Sequence, residues 1–188
     1  VFDEVHFGKF ISGYYTHEYY FDIHPPLGKL LIAGFGKLFH FSAEGGSASG
    51  GSFGEIGEKF PDKTYMALRF LPSLAGALLP LVIYLLALEL GFSRIGAMAA
   101  GAIIVFENAL LTQSHYILLD AFLLLFGFTA LLFYFRYRNR KKWKNLIGAG
   151  IGAGLAMSVK WTGLTFLALP IILELFDFIK SRKFPDLY

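Results

Sequence analysis

The chain has 188 residues, of which 55% are hydrophobic, 18% aromatic and only 16% charged. A water-soluble domain of this size carries about 25% charged residues, so a soluble globular enzyme and a disordered tail are both excluded. A disulfide scaffold is excluded by the lack of any cysteine, and a net charge of +3 is too small to imply a nucleic-acid partner.

The composition is that of a multi-pass membrane protein, and the expected fold class is all-α, because a backbone in lipid must satisfy its own hydrogen bonds. The sequence opens at Val1 inside a charged stretch and closes just after Phe184-Pro185-Asp186, which reads as a fragment with both ends missing.

Residues 1–65 form the first expected region, a loop on one membrane face. Its acidic pair Asp3-Glu4 is flanked by Phe2, Val5 and Phe7. A solvated surface pair is the plainer reading. The apolar flanks place it instead at the membrane boundary, where partial desolvation suits a carboxylate to work as a general base. In Asp22-Ile23-His24-Pro25-Pro26-Leu27-Gly28-Lys29, two prolines fix the backbone after His24. The segment is either a rigid entry to a helix or a bracket that holds Asp22 and His24 at a site. His6, His17 and His24 lack metal-ligand spacing, so zinc is not expected. The apolar run over 28–41, interrupted by Lys29, Lys37 and His40, is too short to span and suits an amphipathic helix at the interface. Gly45 to Gly54 is a flexible loop without the Lys-Ser/Thr ending of a phosphate-binding loop.

Residues 66–188 hold about five expected membrane helices, at roughly 68–90, 94–111, 115–137, 145–160 and 161–180. Gly150 and Gly154 form a GxxxG that predicts close helix packing. The dense basic loop Arg136 to Lys144, the tail cations Lys180, Arg182 and Lys183, and Arg94 in a tight turn fall on one side of a five-helix path. The positive-inside rule makes that side cytoplasmic. The N-terminal region, the Glu107–His115 connection and Lys160 then share the opposite face.

Several ionisable residues on that face are candidates. Arg69 opens the first long span, where snorkelling is common. Lys160 lies between two apolar runs with no acid nearby in sequence, so it is a functional candidate by default. Two cations at the mouth of a bundle suit an anionic lipid phosphate. Asp120 either pairs with a cation or caps a polar pocket. Glu107 and Asn108 are a turn or a pocket lining, and Trp161 is an interface anchor or a site wall.

Phe2 to Phe10 (FDEVHFGKF) and Tyr20 to Lys29 (YFDIHPPLGK) resemble the protein O-mannosyltransferase family, dolichyl-phosphate-mannose–protein mannosyltransferases of the GT-C glycosyltransferase type. The resemblance continues through Ile56-Gly57, Tyr65 to Pro72 (YMALRFLP), Tyr116 to Asp120 (YILLD) and Gly154 to Leu164 (GLAMSVKWTGL). It departs at His115, where Arg is the commoner residue.

The resemblance implies a multi-pass membrane enzyme moving mannose from polyprenyl phosphate mannose to Ser or Thr hydroxyls of proteins, in an endoplasmic reticulum or prokaryotic plasma membrane. It implies Asp3 and Glu4 as the catalytic acidic pair and Arg69 and Lys160 at the donor phosphate. His24, Asp22, Asp120 and Trp161 would line the site. No metal or cofactor is required beyond the lipid-linked sugar, although Asp3, Glu4 and Asp22 could hold a divalent ion. A homologous subunit is an expected dimer partner. The rivals are another GT-C enzyme with a glycan or lipid acceptor, and a membrane transporter.

Overall fold

The computed structural model describes residues 2–17, 19–41 and 63–183. The Gly-rich stretch 45–54 and the Ile56-Gly57 step lie outside them. Among the described residues every regular element is helical.

The N-terminal region is itself helical. Helix α1 (Phe2–Thr16) starts with Asp3 and Glu4 in its first turn, where carboxylates complement the helix dipole. It buries Glu4, Phe7, Ile11 and Ser12, a spacing of three and four that marks one helix face. Pro26 then precedes α2 (Leu27–Leu38), which buries Gly28, Lys29, Ile32, Ala33 and Gly36 on one stripe. The Tyr15 hydroxyl donates to the Ala33 carbonyl and ties α1 to α2.

The membrane part begins with α3 (Tyr65–Glu89). A tight turn with Gly91 at φ +89° leads to α4 (Arg94–Phe106), whose N-terminus is capped by Ser93 accepting from the Gly96 N–H at 3.1 Å. The run expected as one helix over 94–111 is broken. The chain bends by 58° at Glu107 and continues as α5 (Asn108–Ser114). Glu107 causes the break: its backbone is extended and its carboxylate accepts from the Leu110 N–H at 2.6 Å, capping the new helix.

Helices α6 (Asp120–Arg140) and α7 (Trp143–Val159) follow, then a 3₁₀ turn (Trp161–Leu164) and α8 (Thr165–Lys183). Three helical runs are long and apolar enough to cross a membrane: α3, α6 and Trp161–Ser181. The bent α4–α5 pair makes a fourth if taken as one span. Helix α7 has 17 residues, about 25 Å of rise and close to the lower limit for spanning.

Helix α6 is the hub, packing chiefly on α7 and α3. The small residues that allow this are not the expected ones. A Cβ at Gly150 or Gly154 would meet nothing within 4 Å, whereas one at Gly152 would lie 3.0 Å from the Ala130 backbone and one at Gly148 would lie 3.0 Å from the Phe133 ring. Gly148 and Gly152 share the same GxxxG spacing in the other register, and that register faces α6.

Two charged layers bound the bundle. At one end Glu89 accepts from Arg136 Nε at 2.9 Å and Arg140 Nη2 at 2.7 Å, and Arg138 pairs with Asp177 at 2.5 Å. At the other end lie Arg69, Asp120 and Lys160. The rise from Arg69 to Glu89 along α3 is about 30 Å, and from Asp120 to Arg136 along α6 about 24 Å. These lengths match the roughly 30 Å hydrocarbon thickness of a bilayer.

Gly152→Val forces a branched side chain against the α6 backbone and is expected to cost about 1–3 kcal/mol. Gly150→Ala, on the open register, is expected to be neutral or stabilising by up to about 1 kcal/mol. Thermal unfolding of both variants in detergent checks the register.

Candidate functional site: paired charges on one rim

The first pair joins α1 to α3. Glu4 is 3% exposed, and its carboxylate accepts from Arg69 Nε at 2.7 Å and Nη2 at 2.9 Å. This is the fork-to-fork geometry that makes Arg–carboxylate pairs strong. The Ile117 N–H donates to the same Oε1 at 3.2 Å. The guanidinium carbon lies 4.7 Å from the Tyr65 ring centre and 5.1 Å from that of Tyr116, so two aromatic faces fix its plane. Arg69 is therefore locked in place rather than snorkelling. Asp3, next along α1, is exposed.

The second pair joins α6 to the break after α7. Asp120 opens the first turn of α6, and its Oδ1 accepts from Lys160 Nζ at 2.7 Å. The acid that Lys160 lacks in sequence is supplied across the bundle. Lys160 has an extended backbone (φ −145°, ψ 145°) between α7 and the 3₁₀ turn. Gly163 makes that break possible, because a Cβ there would sit 2.4 Å from the Ala156 carbonyl carbon. Lys160 remains about one-fifth exposed along its side chain, and an ammonium carries three N–H donors.

The third pair closes the segment between α1 and α2. Lys29 is 1% exposed; it donates to the Asp22 carboxylate and, at 3.0 Å, to the His24 carbonyl. The His24 N–H returns a bond to Asp22 Oδ1 at 3.1 Å. Trp161 Nε1 donates to the Ile23 carbonyl at 3.1 Å. Tethered at both ends, the segment lays the His24 ring 5.8 Å from that of Phe7 on α1.

Burial works against the charge on Asp22, but the Lys29 ammonium and the His24 N–H outweigh it and hold the carboxyl below its usual range. Burial pushes His24 below its ordinary value. Asp22 and Asp120 oppose that push, while Lys160 and Lys29 reinforce it. Burial thus favours the neutral form of the His24 imidazole beside the Asp120–Lys160 pair. A cavity of about 560 Å³ opens beside it, lined by Tyr14, Tyr20, Asp22, His24 and Lys29.

The structure thus brings Glu4 and Arg69 together, with Asp3 exposed beside Glu4 in the first turn of α1. It brings Asp120, Lys160, His24, Asp22 and Trp161 together around the start of α6. The two groups are joined there, since Ile117 bonds Glu4 and Asp120 follows three residues later. Glu4, Asp22 and Asp120 are each committed to a separate cation, and among the described residues no three acids or histidines gather to hold a metal ion. His115 is exposed, with its Nδ1 2.6 Å from the Leu111 carbonyl oxygen.

The sequence reading missed Lys29, treating it as a break in an apolar run. The signal was present: Lys29 falls in register with Ile32, Ala33 and Gly36, a charge on the buried stripe of its own helix.

An all-helical membrane bundle with paired charges on one rim defines the class. Residues 1–182 match the family model for dolichyl-phosphate-mannose-protein mannosyltransferase, and the chain belongs to that family. It is 37% identical to dolichyl-phosphate-mannose--protein mannosyltransferase 1 of Saccharomyces cerevisiae, over 97% of this chain and 23% of the yeast protein. It is 39% identical to protein O-mannosyltransferase 1 of Drosophila melanogaster, over 90% of this chain and 19% of the fly protein. The fold is similar to that in the structure of the S. cerevisiae protein O-mannosyltransferase Pmt1-Pmt2 complex bound to the sugar donor. That likeness has a TM-score of 0.84 and 35% identity, and covers 93% of this chain and 24% of the yeast chain. The chain therefore spans about a quarter or less of the length of these relatives.

Lys29→Met strands a buried carboxylate and is expected to destabilise the protein by about 3–5 kcal/mol, with Lys29→Met/Asp22→Leu recovering part of the loss; a double-mutant cycle of unfolding midpoints measures this. Acid should destabilise the same segment. Because His24 resists protonation when folded, the unfolded chain binds the extra proton, and stability falls as pH drops below about 6.5 towards the lower folded value. Asp22 adds a second loss at more acid pH, as its depressed folded value is crossed. His24→Asn is expected to flatten the upper part of the melting-temperature profile, just below about pH 6.5.

Proposed function

We propose that this chain is the N-terminal membrane part of an enzyme that transfers mannose from polyprenyl (dolichyl) phosphate to Ser or Thr hydroxyls of proteins. The observation that supports the proposal is the link between two cations from distant helices: Arg69 is bound by Glu4, next in sequence to the exposed Asp3, and Glu4 also accepts from Ile117, three residues before the Asp120 that holds Lys160. Family membership supplies the donor and acceptor classes, since the relatives are named for dolichyl phosphate mannose and for protein.

The chemistry follows from where charge develops. Polyprenyl phosphate is a good leaving group, so charge stabilisation matters more than acid catalysis. Asp3 takes the proton of the acceptor hydroxyl, and the oxygen attacks the anomeric carbon from the face opposite the phosphate. The bond from that carbon to the phosphate oxygen breaks, its electron pair stays on the phosphate, and the sugar is inverted. Lys160 exchanges Asp120 for the phosphate and stabilises the charge that grows there. Arg69 adds its field from a fixed position. Glu4, already spent on Arg69, sets the place of Asp3 rather than taking the proton. His24 and Trp161 wall the site.

The rim faces away from the cytoplasm, in an endoplasmic reticulum or prokaryotic plasma membrane, because the opposite end carries Arg136, Arg138, Arg140 and Lys141. A homologous subunit is the proposed partner, by analogy with the yeast complex. A transporter reading is less well supported, because the paired charges lie at the two ends of the spans and not at mid-bilayer.

In the full-length protein, Asp3→Asn is expected to lower mannose transfer to a Ser/Thr peptide by about 10²–10⁴-fold at normal expression. Lys160→Met is expected to raise the KM for the lipid donor while leaving that for the peptide unchanged. Near-normal turnover of Asp3→Asn would remove it as the base.

A further inference from the structure

A second cavity, of about 440 Å³, lies between α6, α7 and α8, at the basic end of the bundle. Small residues leave the space: Ala130 on α6, and Ala149, Gly150 and Ala153 on α7. A Cβ on Gly150 would meet nothing within 4 Å. Helix α8 supplies the far wall, where Leu167 and Ile171 line the cavity and are also exposed, so it opens to hydrocarbon. Two sets of contacts fasten α8 to α6. Near mid-bilayer the Phe166 ring occupies the place that a Cβ on Gly127 would take. At the basic end Tyr134 donates to Glu174 at 2.8 Å and Arg138 pairs with Asp177. The cavity is the gap left between these two fastenings.

It is one leaflet deep. Along α7, Leu146 lies about 5 Å and Ala153 about 15 Å from Trp143, at 1.5 Å per residue, and half of a bilayer's hydrocarbon is about 15 Å thick. Trp143 and Lys142, three and four residues before Leu146, continue the cavity-facing stripe of α7 to the membrane boundary. Trp143 is exposed there, as an interface anchor is. The acids at this end are already engaged: Glu89 by Arg136 and Arg140, Asp177 by Arg138, and Glu174 by Tyr134 and Arg138. The Lys141 ammonium lies 5.6 Å from the Tyr137 ring centre. Lys142 and Lys144 are exposed, and among the described residues neither meets an acid.

We propose that this groove binds an anionic phospholipid of the cytoplasmic leaflet, with one acyl chain along Gly150 and Ala153 and the phosphate on Lys142 and Lys144. The inference goes beyond the mannosyl-transfer reading and stands apart from it. Depth and charge together select the occupant. A further membrane helix needs the whole height of the bundle, whereas Phe166 on Gly127 closes this space halfway. The volume sits at the small end of ligand pockets, roughly 300–1,000 Å³, and suits part of one acyl chain. A neutral lipid would leave the two lysines without a counter-charge, while basic residues beside a membrane helix attract the anionic lipids of the cytoplasmic leaflet. Glu174, across the groove on α8, repels a phosphate and keeps it on the α7 side. The leaflet follows from the basic end, which the positive-inside rule makes cytoplasmic.

The test uses the full-length protein in phosphatidylcholine nanodiscs that carry a trace of phosphatidylserine with a diazirine midway along one acyl chain. Phosphatidylcholine with the same diazirine chain is the control probe. The expected label falls within residues 146–153 and 166–171, is about tenfold stronger from the serine lipid than from the choline lipid, and is lost in excess unlabelled phosphatidylserine. Lys142→Gln/Lys144→Gln is expected to bring the two probes level. Gly150→Phe, which fills the groove, is expected to cut the label from both about tenfold. Equal labelling of the parent protein by the two probes, label elsewhere, or a lysine variant that keeps the preference overturns the proposal. So does a benzoylphenylalanine at position 150 that crosslinks to another helix of the chain or to a second subunit instead of to lipid. If Gly150→Phe fails to fold, the parent labelling map and the surface lysine variant still decide.

Discussion

The bidentate bond between Glu4 and Arg69 is the constraint on which the rim depends. It joins the first turn of α1 to the top of the first membrane helix, across 65 residues of sequence. A buried carboxylate is tolerable only when paired and hydrogen-bonded. Glu4 satisfies this with the guanidinium on one side and the Ile117 N–H on the other. That second bond brings in the turn before α6, and Asp120 follows within the same turn of chain. One ion pair therefore sets the position of Asp3 and, through Ile117, links it to the side chain that holds Lys160.

The same logic explains why the site is made of pairs. Single charges at the edge of hydrocarbon cost several kcal/mol and tend to neutralise or reach for water. Paired across helices, they become fixed dipoles with little reorganisation left to do. Lys29 with Asp22 is the extreme case, buried to the point of serving only as a fastener for His24. Lys160 with Asp120 is the looser case, part-exposed on both sides. Arg69, pinned between two tyrosine rings, contributes a field and not a moving contact. Tight pairs give geometry, and the proposed mechanism assigns donor binding to the loose pair.

Much of this was legible in the sequence. Low charge content and long apolar runs gave the membrane bundle, and the lone Lys160 between apolar runs pointed to an ion pair across helices. Other features depend on facts that no local window contains. The partner of Lys160 is 40 residues earlier. The useful glycine register, Gly148 and Gly152 instead of Gly150 and Gly154, depends on which face of α7 meets α6, and the even spacing of four glycines offers both. The break at Glu107 follows from a side chain capping a new helix in place of water, a choice that apolar content alone does not reveal. Lys29 was hidden because a charge in a short run reads as an interruption until the helical stripe is drawn.

The most direct test of the assembled rim is a structure of the full-length protein with a non-hydrolysable polyprenyl phosphonate mannose. The account predicts a phosphonate oxygen within roughly 2.7–3.2 Å of Lys160 Nζ, with Asp3 on the opposite side of the anomeric carbon and Glu4 still bound to Arg69. A headgroup bound at the Glu89–Arg136 end, or a Lys160 still held by Asp120 with the sugar elsewhere, would contradict it.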